Sequence, residues 1–431
     1  MPDLKKIYPF VKNVVHNTSR TTFATWWSVL LSSALLWSKF LISLSSIALI
    51  VIAFLQLHVS SVQGVDKWRL MPPPQYIPRF LAFFKQKSWF CVGILFFLAV
   101  ISFGWSSDVG YWWNRVRLYL PFLSLPMAFW LLPKFSEKRY QTILLASLIA
   151  GVFWALVVLT RYFLHFDKMN KKLLMGQPIA TPIDHVCFNF ALVMSLLCGV
   201  ALFRQTKSSS QKYRVALIFS LLFLFVTIHI LAVRGGILAM YVCIFYLILQ
   251  YIASVGNWKM GVSACLGIVL VATLAIQFTP SLRNRIQFMV WDWQQAKLGN
   301  SMNNSDSERL ISLKIGVKMV QQSPILGIGA GDMRTVCNQL YAQHYPQLDA
   351  KLPHSQFLMV AAANGLVGLF VFLICFWLPV FSENHYKQPF FVATHLLFFV
   401  SFFFEALSEA SLSVVLFSFW IGLQLNQFKK E

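Results

Sequence analysis

In KLPHSQFLMVAAANGLVGLFVF, Lys351 to Phe372, His354 follows a proline at the mouth of a long apolar run. A neutral imidazole in that place can take a proton from a hydroxyl. Arg234 stands in LAVRGGILAMY, between two apolar runs joined by almost no loop. A guanidinium so close to hydrocarbon is expensive and needs a partner. Its planar fork suits phosphate, and the two glycines after it allow a ligand or a neighbouring helix to approach the backbone closely. Arg309 lies in NSDSERLISLKIGVKMVQQSP, in the first turn of an expected helix, an electropositive end that suits an anion. Taken singly, these are a snorkelling arginine, a solvated loop charge and an interfacial histidine. Taken together, they are two phosphate-holding forks and a base, the parts needed to move a group from a phosphate carrier to a hydroxyl.

Other residues on the same face support this set. Lys39, Arg115 and Arg117 could add positive field or simply anchor the membrane belt. Glu405 and Glu409 could pair with these bases or cap helices. Gly365 and Gly368 read as a helix-packing notch. The acidic residues expected on this face, Asp292, Asp306, Glu308 and Asp332 among them, form no D-x-D pair. The expected site is therefore cationic, with no metal and no cofactor, and its cations would hold and stabilise a departing pyrophosphate. GIGAGD at 327–332 is not read as a nucleotide loop, because no strand precedes it. WDW at 291–293 and WWN at 112–114 read as interfacial aromatics.

The elements that must position these residues are membrane spans. Of the 431 residues, 58% are hydrophobic and 12% charged, and the mean hydropathy is +0.64. That excludes an ordinary soluble domain. Several runs approach the roughly 20 apolar residues that cross a bilayer, and they lack strict alternation, so the expected fold is an all-α integral membrane protein. About twelve spans are expected, near 22–38, 41–58, 88–106, 118–133, 141–164, 184–203, 215–232, 235–254, 261–278, 355–381, 389–404 and 411–426. The expected organisation is a membrane bundle of about nine spans over 1–278, an outer loop with short helices over 279–354, and about three spans over 355–431. No cleavable signal peptide is evident, and the seven cysteines show no metal spacing.

Charge sets the orientation. With the N-terminus inside, inner segments hold twenty of the 36 basic residues and short outer segments hold eight. Both termini are therefore expected in the cytoplasm, and the net charge of +21 reflects topology and anionic lipid rather than nucleic acid. Segment 59–87 is a Pro-rich inner connector and 205–213 a flexible inner loop. In the long outer loop, Ser305 and Glu308 form a capping box. A helix should run from there to about Gln322 and stop at Pro324, with a second short helix over 332–343.

HSQFLMVAAANGLVG at 354–368 is similar to the pattern of bacterial O-antigen ligases: histidine, a small polar residue, nine residues, then G-x-x-G. VRGG at 233–236 resembles the arginine-glycine element of that superfamily, and 308–333 resembles its outer-loop element. The resemblance spans roughly residues 215–425. It implies a C-type glycosyltransferase-like architecture with a periplasmic loop. It also implies transfer of a polysaccharide from undecaprenyl pyrophosphate to a sugar hydroxyl of lipid A–core, with inversion, at the periplasmic face of the bacterial inner membrane. On that basis His354 is the expected catalytic residue, and Arg234 and Arg309 bind pyrophosphate. Polymerases and protein O-oligosaccharyltransferases share the superfamily. A flippase for lipid-linked sugars is the alternative of a different class; it would favour inverted repeats, broken helices and polar groups near the midplane.

Overall fold

The computed structural model describes residues 20–59, 66–70, 73–205, 210–297, 305–406 and 409–429. The chain is a multi-pass helical membrane protein. Every expected apolar stretch is helical over most of its length. α1 (20–34) and α2 (Lys39–Phe54) form the first hairpin, and α4 (Lys87–Val92) and α5 (Ile94–Ile101) make one run broken at Gly93. Then come α6 (Val109–Leu131), α7 (Glu137–Leu164), α9 (His185–Gln205), α10 (Gln211–Leu231), α11 (Arg234–Val255) and α12 (Trp258–Phe278). After the long loop follow α16 (Gln356–Phe381), α17 (Pro389–Phe404) and α18 (Ser411–Phe428). Seven helices among the described residues are individually long and apolar enough to cross a bilayer.

Two expectations need correction. The chain is not helical throughout: Leu55–Val59 and Asp66–Leu70 pair as an antiparallel hairpin, β1 and β2. The second span therefore stops at Phe54 rather than near 58. In the Pro-rich connector, α3 (Pro73–Lys85) follows the hairpin and tolerates Pro78 in its interior.

The core of the bundle is assembled around α9 and α18, whose residues are almost all buried. Packing between α18 and α6 is reinforced by polar contacts at their shared end. Asn426 Nδ2 donates to Phe129 O at 2.8 Å, and Lys429 Nζ donates to the carbonyls of Phe129, Trp130 and Leu132 at 2.7 Å each. These groups satisfy carbonyls that the helix end would otherwise leave open.

The long loop is structured, as expected. It contains α13 (Pro280–Lys297), α14 (Ser305–Gln322) and α15 (Met333–His344); α8 (Phe166–Leu174) packs against α13. Ile311, Ile315 and Met319, one stripe of α14, join Met333, Cys337 and Met359 in a second small core. Leu310 and Val317 stay exposed, so the buried stripe is narrower than the apolar face suggests.

Glycines fix how this loop sits on the bundle. Gly365 interrupts α16 with φ 67° and ψ −173°, a conformation open essentially to glycine alone. The freed backbone groups pair with the loop. Ile328 N–H donates to Ala362 O at 2.8 Å, Gly329 N–H to Ala363 O at 3.0 Å, and Leu366 N–H to Pro324 O at 2.8 Å. A Cβ at Gly365 would sit 1.9 Å from Ile325 O. The notch read at this position therefore receives a loop, not a helix. At Gly368 a Cβ would meet the side chain of Asn364 at 2.2 Å and lie 3.9 Å from Leu98 of α5. The GIGAGD turn is likewise a docking element: Gly331 N–H donates to Ser106 Oγ at 3.0 Å, and Asp332 accepts the N–H groups of Ser107 and Asp108.

Candidate functional site

One cleft gathers arginines from three separate elements. A tight turn brings α10 into α11, with Ala232 left-handed (φ 54°, ψ 33°) and Val233 as the N-cap. Arg234 is thereby placed at the first position of α11. The two glycines behind it serve helix packing. A Cβ at Gly236 would lie 1.8 Å from Asn189 Oδ1 of α9, and one at Gly235 would lie 3.3 Å from Phe404 Cβ of α17. Arg285 comes from α13 and Arg309 from α14. With His185, Phe404 and Glu405 they line a cleft of about 470 Å³.

The arginines already have carboxylate partners. Arg234 is ion-paired with Asp306, and Arg309 Nη2 donates to Glu405 Oε1. Arg234 thus has the partner its depth demands. The other oxygen of Glu405 lies 3.4 Å from His354 Nδ1. Glu405 therefore bridges an arginine of the cleft and the histidine beside it. His354 is not on the cleft wall; it stands at its flank, half-buried, with its backbone N–H donating to Ser312 Oγ at 3.3 Å. Ser355, which caps α16, donates its hydroxyl to Phe402 O at 3.4 Å and so ties the start of α16 to the end of α17. That tie keeps His354 and Glu405 adjacent.

Arg285 is held differently. Burial lowers its pKa from the usual guanidinium value, and the neighbouring charges of Arg234 and Arg309 push it the same way, while Asp306 and Asp292 oppose them. The three guanidinium groups lie within mutual electrostatic range: Asp306 pairs with Arg234, Glu405 with Arg309, and Arg285 donates to Gly176 O. Such a cluster has the chemistry to hold a phosphate.

The capping of α14 departs from expectation. Its first N–H groups are met by Asp292 of α13, whose Oδ2 accepts from Asp306 N and Ser307 N at 3.1 Å each. Asp292 is fully buried. Glu308, expected to complete a capping box, reaches Lys351 instead. The electropositive helix end is thus occupied by a protein carboxylate, and Arg309 meets its anion from the side. WDW is consequently more than an aromatic pair at the interface.

The remaining candidates divide. Arg115 and Glu409 find each other at 2.5 Å, with Tyr111 beneath the guanidinium 4.7 Å from its ring centroid. Arg117 is exposed and donates to Asn114 on its own helix. Lys39 is exposed at the start of α2. Neither Lys39 nor Arg117 lines the cleft. Cys337 is buried, which pushes its thiol up to about 11, so it remains a protonated, unreactive group. Among the described residues no three His, Cys, Asp or Glu side chains gather in a metal-binding group.

Sequence reasoning missed Arg285, His185 and Asp292. His185 offered the same signal as His354, an imidazole at the mouth of an apolar run. Arg285 and Asp292 lie on a helix with no strong apolar period, and only the fold brings them to α14.

The fold is a membrane bundle of apolar helices, and the site is a cleft of arginines and carboxylates with a histidine at its flank, an arrangement with the chemistry to hold an anion. Residues 219–373, about a third of the chain, match the family model described as O-antigen ligase. That match supports an enzyme in general. The matched segment contains Arg234, Arg285, Arg309, His354 and Gly365; Glu405 and Arg115 lie outside it. No curated protein matches the chain.

Proposed function

We propose that this protein is an O-antigen ligase, transferring a polysaccharide from undecaprenyl pyrophosphate to a sugar hydroxyl of lipid A–core at the periplasmic face of the inner membrane. The observation that carries the reading is the linked row Arg309–Glu405–His354, in which Arg309 and Glu405 line one cleft with Arg234 and His354 stands at its flank. It sets a pyrophosphate seat next to a base.

In this reading the donor pyrophosphate enters between Arg234, Arg285 and Arg309 and takes over from Asp306 and Glu405 as their anion. Glu405, turned toward His354 Nδ1, orients the imidazole so that Nε2 faces the acceptor. His354 removes the acceptor proton as the hydroxyl oxygen attacks the anomeric carbon. The bond from that carbon to the pyrophosphate oxygen breaks, its electrons leave with undecaprenyl pyrophosphate, and the arginines stabilise the charge. One displacement inverts the configuration. Residues 1–278 and 355–431 serve as the membrane frame and 279–354 as the periplasmic roof, with both termini cytoplasmic. Lateral openings between helices admit both lipid-linked substrates.

The break in α16 gives no support to a transporter. Its freed backbone groups are used by Pro324, Ile328 and Gly329 rather than turned toward a cavity. Polymerase and ligase share this donor chemistry and differ only in the acceptor. Deleting the gene in the native cell separates them: a ligase leaves free core and accumulates polymer on the carrier. Core capped with a single repeat would instead identify a polymerase. Transfer by the purified protein in liposomes with donor and lipid A–core tests the activity itself, and its absence with both substrates present would remove the ligase reading.

A further inference from the structure

A second hollow lies at the other end of the bundle. α9 begins at the arginine cleft with His185 and ends beside this hollow with Ala201 and Arg204. α17 runs the opposite way, from Pro389 at the hollow to Phe404 at the cleft. The two sites are therefore separated by the length of α9, about 30 Å. The hollow, about 1270 Å³, is larger than the cleft and plays no part in the chemistry there.

Its chemistry is layered. Lys134, Arg204 and Glu137 line it, giving one net positive charge, and the partly exposed Phe390 and Phe428 supply an apolar surface. Lys134 and Glu137 are exposed at the turn between α6 and α7, and Arg204 is exposed in the last turn of α9, where its Nη2 donates to Gln250 at 2.7 Å. Deeper in, Gln424 of α18 is only 1% exposed. Its Nε2 donates to Thr394 Oγ1 at 3.0 Å, while its Oε1 has no partner. A buried acceptor left open is costly, so a donor that reaches Gln424 is favoured.

We propose that this hollow binds one anionic glycerophospholipid with a hydroxylated headgroup. Its phosphate lies with Lys134 and Arg204, a headgroup hydroxyl donates to Gln424 Oε1, and the first part of its acyl chains covers Phe390 and Phe428. The charge count selects the class. A phosphodiester carries one negative charge against the one net positive charge of the lining, whereas a zwitterionic lipid brings none. The apolar side selects a lipid over a free phosphate ester, which has nothing to cover the phenylalanines. A helix-end cation alone would be satisfied by any anion; the buried open acceptor asks also for a hydroxyl.

The test uses the full chain purified in detergent and native mass spectrometry with three probes: phosphatidylglycerol, phosphatidylethanolamine and soluble glycerol phosphate. One phosphatidylglycerol should bind well above the other two. At about fivefold per cation, the exposed double variant Lys134→Ala/Arg204→Ala should weaken it roughly twenty-fivefold, while Gln424→Leu, which removes the open acceptor, should weaken phosphatidylglycerol binding several fold. Thermal unfolding checks that each variant is folded, and Gln424→Met, which keeps the length without an acceptor oxygen, serves where the leucine variant is not. Equal binding of the two lipids overturns the proposal. So does unchanged phosphatidylglycerol binding in the double variant, or binding of glycerol phosphate as strong as that of the lipid. The readout needs neither donor nor acceptor, so its failure leaves the transfer reading untouched, and failure of that reading leaves this one standing.

Discussion

Two arginine–glutamate pairs sit four residues apart on the same connecting segment, and they are not equivalent. Glu405 pairs with Arg309 at the mouth of a cleft, where about a third of the arginine side chain is exposed. Glu409 pairs with Arg115 in a closed setting, where the arginine side chain is 9% exposed. Glu405 has a second partner, His354, and its arginine faces two more guanidinium groups. Glu409 has no histidine partner, feels one further guanidinium, that of Arg334, and its other oxygen is buried without a hydrogen bond. On the proposed reading the first is an exchangeable pair that an anionic substrate opens; the second is a locked pair that holds α6 against the segment before α18. What separates function from architecture here is access and the company of further charges.

The sharpest way to break this contrast is at the histidine. His354→Ala should lower transfer by about 10²–10⁴-fold, with membrane insertion and thermal unfolding unchanged, because the side chain is half-exposed and its backbone contact remains. His354→Gln should retain a fraction of the rate through its orienting hydrogen bond. Near-normal transfer by the alanine variant at matched protein levels would exclude His354 as the proton acceptor.

Next come the exchangeable arginines. Arg309→Ala and Arg234→Ala should each lose about 2–4 kcal/mol of donor binding or leaving-group stabilisation. Lysine should rescue poorly, since it has a point charge and no fork. Donor affinity and turnover both unchanged in Arg309→Ala would remove it from the site. If the guanidinium groups carry the leaving-group charge, activity should also persist in EDTA. Specific restoration of chelated enzyme by Mg²⁺ or Mn²⁺ would contradict a purely cationic seat.

The locked pair should answer in stability. Arg115→Ala leaves Glu409 buried without its counter-charge, at a cost of about 3–5 kcal/mol, read as a lower unfolding temperature in detergent. Burial raises the Glu409 pKa, against the pull of Arg115. The folded state therefore binds this proton more tightly than the unfolded chain. Its contribution is full below the usual carboxylate range and fades as pH rises through the raised value. Glu409→Gln, which mimics the protonated form, should accordingly be milder than Arg115→Ala. A glutamine variant more unstable than the alanine variant would show that the ionised pair matters more than the burial of its acid.

Much of this was legible in the sequence because hydrocarbon makes polar residues conspicuous. His354 and Arg234 stood out at the ends of apolar runs, Arg309 in the first turn of a loop helix, and that helix, Ser305–Gln322, was bounded by its serine and by Pro324. The pairings were less legible. Which carboxylate caps α14 depends on how α13 folds back, so Asp292 passed as part of an aromatic cluster. Gly365 and Gly368 have the spacing of a helix notch, and nothing in that spacing tells a neighbouring helix from an inserted loop. Hydropathy has the same blindness. The apolar windows of α9 and α12 are nearly equal in hydropathy, 2.3 and 2.1, yet 89% of one is buried and 6% of the other. Lipid and protein interior reward the same side chains.

The smallest effects should come from the cations that lie outside both pairs. Lys39 begins α2 on an exposed turn, and Arg117 is exposed on α6, where its guanidinium reaches only to Asn114 one turn back. Charges so placed are screened beyond about 8–10 Å at physiological ionic strength. Lys39→Ala and Arg117→Ala should therefore each leave transfer within about twofold at that salt, a change below 0.5 kcal/mol or so. At low ionic strength, where the screening length reaches about 30 Å, a modest loss in donor capture should emerge as a raised KM with kcat unchanged. A tenfold fall in kcat for either variant at physiological salt would mean that the cationic seat extends along α2 or α6, and the boundary drawn here between exchangeable and peripheral charge would have to move outward.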